Sequence, residues 1–393
     1  MAHHAGRGLA MMRKLRLGMV GGGEGAFIGA VHRSAARLDG HYELLAAALS
    51  SDPHRAARSA AALGLDPERS YADYRDMARA EAARPDGIEV VAIVTPNHLH
   101  APVATAFLEA GMHVICDKPL ALSLQEGEAL AALARQQQRV FALTHPYAGY
   151  AMVRHARSLV REGALGALRL VQVEYQQDWL SQPIEQDGQH KQASWRLDPA
   201  RGGPTGCLGD IGSHAYQLAA FVTGMQPAQL SAELCRFVPG RQLDDHAQMM
   251  LRYANGARGL LWASQVAAGC ANALRLRIFG SEAGLAFDQE RPDELWLTPV
   301  GGTAQCLRQG QVDSAAARHA NRVPVGHPQG YQEAFAQLYT DAAEQIRACQ
   351  QKRVPSAASL EMPTIKDGLA VHRFIDAALA SHRQNGAWTE IRG

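Results

Sequence analysis

The chain has 393 residues, 47% of them hydrophobic and 20% charged, which exceeds what one hydrophobic core ordinarily organises and lies far from the composition of disorder, so two domains are expected. Its 39 basic residues against 38 acidic ones leave a formal charge of +1, which gives no basic field for a nucleic-acid backbone and no polybasic patch for a membrane surface. The six cysteines are scattered without a CxxC pair, arguing against a zinc site or a dense disulfide framework, and no run approaches the ~20 apolar residues of a membrane span; a soluble, cytoplasmic protein is expected.

Residues 1–14 carry basic groups without an apolar core long enough for a secretory signal and read as a flexible extension. Leu15 to Gly21 reads as a short buried strand, Gly25 to Leu38 as a helix and Tyr42 to Leu49 as a second strand, a β-α-β unit. The alternation continues with helices over Asp52 to Leu63 and Tyr71 to Ala83, a strand over Ile88 to Val94, a helix over Leu99 to Ala110, a strand over His113 to Cys116, a helix over Leu124 to Gln137 and a strand over Val140 to Thr144. Strands separated by helices imply parallel pairing with right-handed crossovers, so a doubly wound α/β Rossmann domain is expected over residues 15–146.

After residue 150 the period shortens to two in Leu168 to Tyr175, Leu230 to Phe237, Ala247 to Tyr253, Arg258 to Val266 and Leu274 to Phe279, the pattern of an open, largely antiparallel sheet. A helix over Asp210 to Thr223 interrupts these strands, Gly301 to Val325 reads as a long loop, and helices follow over Gln329 to Gln350 and Pro363 to Arg383. Residues 147–393 therefore read as an α+β substrate-binding and oligomerisation domain whose last helices can pack back on the first.

The run from Gly21 to Gly29 joins the first strand to the first helix, where glycines let backbone N–H groups approach a pyrophosphate. Gly21 and Gly23 fill the first two positions of a GxGxxG/A pattern and Ala26 the third, with Gly25, Phe27 and Ile28 beside them; NAD or NADP is the expected cofactor. The second strand ends in Ser50, Ser51 and Asp52, with Arg55 one turn on, a set that suits ribose hydroxyls or a 2′-phosphate. Asp52 before Pro53 reads equally as a helix N-cap.

Thr95-Pro96-Asn97-His98 and Asp117-Lys118-Pro119 stand after the strands over Ile88 to Val94 and His113 to Cys116, taken as the fourth and fifth of the sheet, at the edge where open α/β sheets bind ligands. His98 and His100 form an HxH pair, but no carboxylate or cysteine stands at ligand spacing and no metal is expected. Asp210 and His214, four residues apart on a predicted helix, share one face.

Together with Gly209-Asp210-Ile211-Gly212-Ser213-His214, these loops resemble the Gfo/Idh/MocA family of sugar and polyol dehydrogenases over nearly the whole chain. In that family a Glu-Lys-Pro triplet carries a catalytic lysine; Lys118 matches it, with Asp117 in place of the usual Glu. The resemblance implies that Asn97 and His98 belong to the cofactor loop, and that Asp210 and His214 meet Lys118 across the domain cleft as a proton relay. Tyr147, Tyr150, Asp178, Trp179, Trp195 and Arg196 are further substrate candidates, since aromatic faces and hydrogen-bonding groups suit a sugar ring.

The expected activity is hydride transfer between nicotinamide and a secondary hydroxyl or ketone of a sugar, glycoside, cyclitol or related polyol. Two alternatives stand beside it: a redox-assisted glycosidase or epimerase with recycled dinucleotide, and a non-catalytic dinucleotide-sensing regulator. The family commonly pairs its second-domain sheets, so a homodimer or homotetramer is expected.

Overall fold

The computed structural model describes residues 13–186 and 191–392; of the expected N-terminal extension, residues 1–12 lie outside them. The strands β1 (Leu15–Gly21), β2 (Tyr42–Ala48), β3 (Val90–Val94), β4 (His113–Asp117) and β5 (Phe141–Thr144) form an all-parallel sheet in the order β2-β1-β3-β4-β5. Val90 to Val94 is apolar and buried at every position, as a parallel strand covered on both faces requires. Helix α1 (Phe27–Leu38) joins one covering layer, and α3 (Tyr74–Ala83), α4 (His100–Glu109) and α5 (Leu124–Gln136) join the other, α2 (Pro53–Ala62) following β2. The loops counted as following the fourth and fifth strands in fact follow β3 and β4. Between α2 and α3 the chain makes one isolated bridge, Ala47 to Ser70, and no strand.

The second half begins with α6 (Ala151–Arg161), which the hydrophobic pattern did not reveal, and continues through β6 (Leu168–Gln176), α7 (Lys191–Arg196), α8 (Pro199–Gly202) and α9 (Ser213–Thr223). Then come β7 (Pro227–Cys235), β8 (His246–Tyr253), β9 (Arg258–Ser264), β10 (Ala273–Gly280), β11 (Ala283–Asp288), β12 (Glu294–Pro299) and β13 (Gln305–Arg308). The chain closes with α10 (Ala315–Ala320), α11 (Tyr331–Gln350), α12 (Ile365–Arg383) and β14 (Thr389–Glu390). The segment expected to be a loop over Gly301 to Val325 thus holds β13 and α10, both too short to show a period.

The second sheet runs β13-β12-β11-β10-β6-β9-β8-β7-β14 and is antiparallel except where β6 pairs with β9. Its strands alternate between buried and exposed residues, as in β8 and β11. One face packs on α6, α9 and α12 in a single apolar cluster. The other leaves Leu170, Met250, Leu260, Phe279 and Trp296 exposed. Helix α11 returns to the first half, where Phe335, Tyr339, Ala342 and Ile346 enter the cluster around β1 and α1. This places the carboxyl edge of the parallel sheet beside the loops that precede α9.

Candidate active site

β1 ends in a turn that only glycine adopts readily: Gly21, Gly22 and Gly25 all have positive φ. A Cβ on Gly23 would lie 2.7 Å from the carbonyl oxygen of Leu49, and one on Gly29 would lie 2.4 Å from Cα of Gly22. The close seating of helix on loop therefore belongs to Gly22 and Gly29. Ala26, assigned to that place by spacing, instead precedes the helix and donates its N–H to the carbonyl of Gly23 at 3.0 Å. Helix α1 starts at Phe27, two residues later than expected, with no side-chain cap and no acidic residue in its first turn. Its N-terminal N–H groups are thereby left for an anionic ligand.

A cavity of about 600 Å³ lies along the carboxyl ends of β1 to β4. Gly21, Gly23, Ala26, Ile28, Ser50, Ser51, Arg55, Thr95, Pro96, Asn97, His98, Asp117, Lys118, Trp195, Arg196 and Asp210 all line it. Gly25 and Phe27 border a separate shallow groove beside the glycine loop. Asp52 accepts the N–H of Arg55 at 2.7 Å and caps α2, with Pro53 in the first helical position. Thr95 Oγ1 and His98 Nδ1 are buried without a hydrogen-bond partner, a cost a polar ligand in the cavity would relieve. Volume, glycine cradle and orphaned polar atoms together fit a dinucleotide. Asn97 donates to the carbonyl of Gly202 at 2.8 Å and so ties the β3 loop to α8. His100 faces two backbone carbonyls, of Pro119 at 2.6 Å and Thr95 at 2.9 Å, and among the described residues no group of three His, Cys, Asp or Glu is arranged to hold a metal.

Lys118, just after β4, reaches across to the second half. Its Nζ donates to Oδ1 of Asp210 at 2.6 Å and to the Asp210 carbonyl at 2.7 Å. The other carboxylate oxygen accepts from Gln265 at 2.9 Å, and Arg196 Nε lies 3.5 Å from Oδ1. Burial raises the Asp210 carboxyl, but the charges of Lys118 and Arg196 outweigh it and hold the group well below the usual carboxylate range.

Asp210 lies on a single wide π-turn, Leu208–Gly212, ahead of α9, a feature frequent at functional sites. Asp244 anchors this turn by accepting the N–H groups of Gly206 and Leu208, both at 2.7 Å. Asp210 pairs with Lys118 while His214 turns its ring edge-on to Tyr147, with centroids 5.0 Å apart, and brings Nδ1 within 3.4 Å of His145 Nδ1. Burial, then the charge of Lys118, holds His214 well below the ordinary histidine range, so it is neutral at pH 7.

Asp117, which stands where the resembling family has Glu, accepts from Thr144 Oγ1 at 2.9 Å and lies 3.8 Å from His32 Nε2. Burial raises its carboxyl, while His32 and Lys118 bring it well below its usual value. The remaining sequence candidates stand back from the cavity. Tyr147 and Tyr150 are buried, their hydroxyls engaged with Tyr175 and Gln289. Trp179 donates to Gln177 and packs on the small cluster of Leu180, Ala193, Leu197 and Leu243. Asp178 accepts the N–H of Gly269. His145, Gln265, His32 and Arg201, the last of which also lines the cavity, escaped the sequence reading. His145 follows β5 at the ligand-binding edge and was open to discovery on that ground; the others carry no local signal.

A Rossmann sheet with a glycine cradle, a lysine at its own carboxyl edge, and an aspartate and a histidine brought to that lysine from the second half define a dinucleotide-binding oxidoreductase. The chain belongs to the Gfo/Idh/MocA family: residues 15–145 match its oxidoreductase family domain, the NAD-binding Rossmann fold, and residues 153–286 match a Gfo/Idh/MocA C-terminal domain. It is an NAD(P)-dependent oxidoreductase acting on CH–OH groups. The uncharacterized oxidoreductase YfiI of Bacillus subtilis is 34% identical over 97% of this chain and 98% of its own length. Levoglucosan dehydrogenase of Pseudarthrobacter phenanthrenivorans is 32% identical over 72% of this chain and 76% of its own. The crystal structure of an inositol dehydrogenase homologue complexed with NAD+, from Azotobacter vinelandii, superposes with a TM-score of 0.92 at 36% identity, over 96% of this chain and 98% of that one. Among the described residues no helix is long and apolar enough to cross a membrane.

Proposed function

We propose that the protein transfers a hydride between NAD or NADP and a secondary hydroxyl or ketone of a sugar, glycoside, cyclitol or related polyol. The observation that carries this reading is the Lys118–Asp210 pair, which lines the same cavity as the glycine loop. When bound, the nicotinamide dinucleotide supplies the hydride chemistry. The protein's own part is to hold the substrate oxygen and move its proton. Two of the three ammonium hydrogens of Lys118 are engaged with Asp210, and the third is free to orient a hydroxyl or carbonyl oxygen. His214, kept neutral by burial, accepts the hydroxyl proton in oxidation and returns it in reduction. Trp195 and Arg196 give the cavity an aromatic face and a guanidinium, the guanidinium carbon 4.6 Å from the ring centre, a combination suited to ring C–H patches and hydroxyls.

Two relatives named for levoglucosan and inositol support a cyclic polyol or anhydrosugar as the substrate class. Ser50, Ser51 and Arg55 at the cavity, with Asp52 turned to its helix cap, suit either form of the dinucleotide. The exposed apolar side chains on the second sheet support a homodimer or homotetramer built on that face, the even charge balance supports the absence of nucleic-acid and membrane partners, and the six unpaired cysteines support a cytoplasmic protein.

The test is a panel of anhydrosugars, glycosides and cyclitols offered with NAD and with NADP, read as absorbance of the reduced nicotinamide. At least one cyclic polyol is expected to yield reduced dinucleotide continuously. Tight binding of dinucleotide with no turnover on any member of the panel would favour a sensing role instead, and failure to bind either dinucleotide would overturn the reading altogether.

A further inference from the structure

Two buried imidazoles meet behind the Lys118–Asp210 pair. His145, at the residue after β5, is 1% exposed and His214 is 7% exposed; their rings stand edge to face at 85°, centroids 5.3 Å apart. Their Nδ1 atoms approach to 3.4 Å. Burial and the nearby charge of Lys118 push His145 down to about 3, so near neutral pH both rings are uncharged. Two neutral imidazoles that meet nitrogen to nitrogen share one proton, so one ring carries its hydrogen on Nδ1 and the other on Nε2. The Nδ1 of His214 is taken up by this contact, and Nε2 is its one remaining nitrogen for substrate.

We propose that His145 is a positioning residue: its Nδ1 accepts the Nδ1–H of His214 and so fixes His214 in the tautomer whose Nε2 lone pair takes the substrate proton. The inference rests on the reading of His214 as the proton acceptor. The proton moves from the substrate hydroxyl to Nε2 of His214, Nδ1 keeps its hydrogen throughout, and the imidazolium formed donates a charge-assisted bond to the neutral His145. An uncharged partner here does for tautomer and orientation what a buried carboxylate does in other relays, without adding negative charge beside Asp210. Besides His145, the charged and titratable groups around His214 are Asp117 at the end of β4, Lys118 just after it, Asp210 from the π-turn, Tyr147 after β5 and Tyr175 on β6.

The test joins one measurement on the unaltered protein to three variants. Histidine-selective nitrogen-15 NMR, with the His214 signals assigned by their loss in His214→Asn, is expected to show Nδ1 protonated and Nε2 bare at neutral pH. His145→Leu is expected to lower kcat about tenfold or more, with KM and dinucleotide affinity unchanged and the acidic limb of the kcat profile moved to lower pH. His145→Asn, whose Oδ1 can take the acceptor's place, is expected to recover most of the loss. A His214 found with its hydrogen on Nε2, or a leucine variant as fast as the parent while His214→Asn is dead, overturns the inference and leaves the hydride-transfer reading standing. Full turnover in His214→Asn overturns the inference together with the reading of His214 as the proton acceptor, whereas a parent protein that turns over no polyol overturns the hydride-transfer reading itself.

Discussion

Among the cation–carboxylate pairs that join distant parts of this chain, two have surroundings that differ in kind. Arg154 on α6 and Asp341 on α11 are both 0% exposed, and Asp341 also accepts from His319 and Gln337, each at 2.8 Å. Lys118 and Asp210 keep 13% and 20% exposure and line the dinucleotide cavity. The carboxylate of the dry pair is saturated by protein donors, and Arg154 Nη1, which finds no partner, is sealed from any ligand by burial. The pair at the cavity has a spare ammonium hydrogen and an access route. On the proposed reading, similar chemical groups thus serve architecture where they are sealed off, because a lone buried charge is costly, and reaction where a spare hydrogen faces a cavity.

Mutation should split the two roles. Lys118→Ala is expected to cut kcat by about 10³ while dinucleotide affinity and Tm stay close to the parent, since the charge it leaves unpaired can still be hydrated from the cavity. Isothermal titration and a melting curve on the same sample check this. A variant that loses its fold along with its activity would break the distinction. Arg154→Met is expected to show the converse, a loss of about 3–5 kcal/mol in stability with kcat preserved at temperatures where the protein remains folded, because Asp341 is left in a dry site with its strongest partner removed. Denaturant unfolding measures it, and a change under 1 kcal/mol would mean that His319 and Gln337 suffice to hold the carboxylate.

The same contrast explains what was legible in the sequence. The parallel strands showed as short continuous apolar runs because both faces are covered, and the glycine turn, Lys118, Asp210 and His214 stood out because their settings are local: a strand end or a short motif. Helix α6 was hidden because Arg154 and His155, read as polar, belong to its buried face. β11 to β13 were hidden by mixed residues at the rim of the sheet. His32 finds its partners at Tyr339 and Asp117, and Gln265 its partner at Asp210; contacts between such distant positions leave no period or spacing to read. The third close-packing glycine was misplaced for a related reason, since Gly22 and Gly29 define their contact by backbone approach, which a one-dimensional pattern does not encode.

The weakest member of this series sits at the surface and sharpens the comparison by its pH dependence. Glu89, just before β3, accepts from Arg13 at 2.6 and 2.7 Å, from the N–H of Arg16 at 3.0 Å and from Gln350 at 2.9 Å, which links the start of β1 to the end of α11. Burial raises its carboxyl, but these donors outweigh it and bring the group down to about 2. A carboxylate whose pKa is depressed on folding adds stability that is complete above its unfolded pKa of about 4.5 and is lost as pH falls toward 2. Arg13 is 59% exposed, so solvent screening limits the contribution to about 1 kcal/mol. Glu89→Gln is therefore expected to lower stability by about that amount at pH 7, with the gap to the parent closing between about pH 4.5 and pH 2 in urea unfolding measured across the range. A gap that stays constant with pH would assign the loss to hydrogen-bond geometry rather than charge, and would place Glu89 with the dry Arg154 pair instead of at the solvent-screened end of the series.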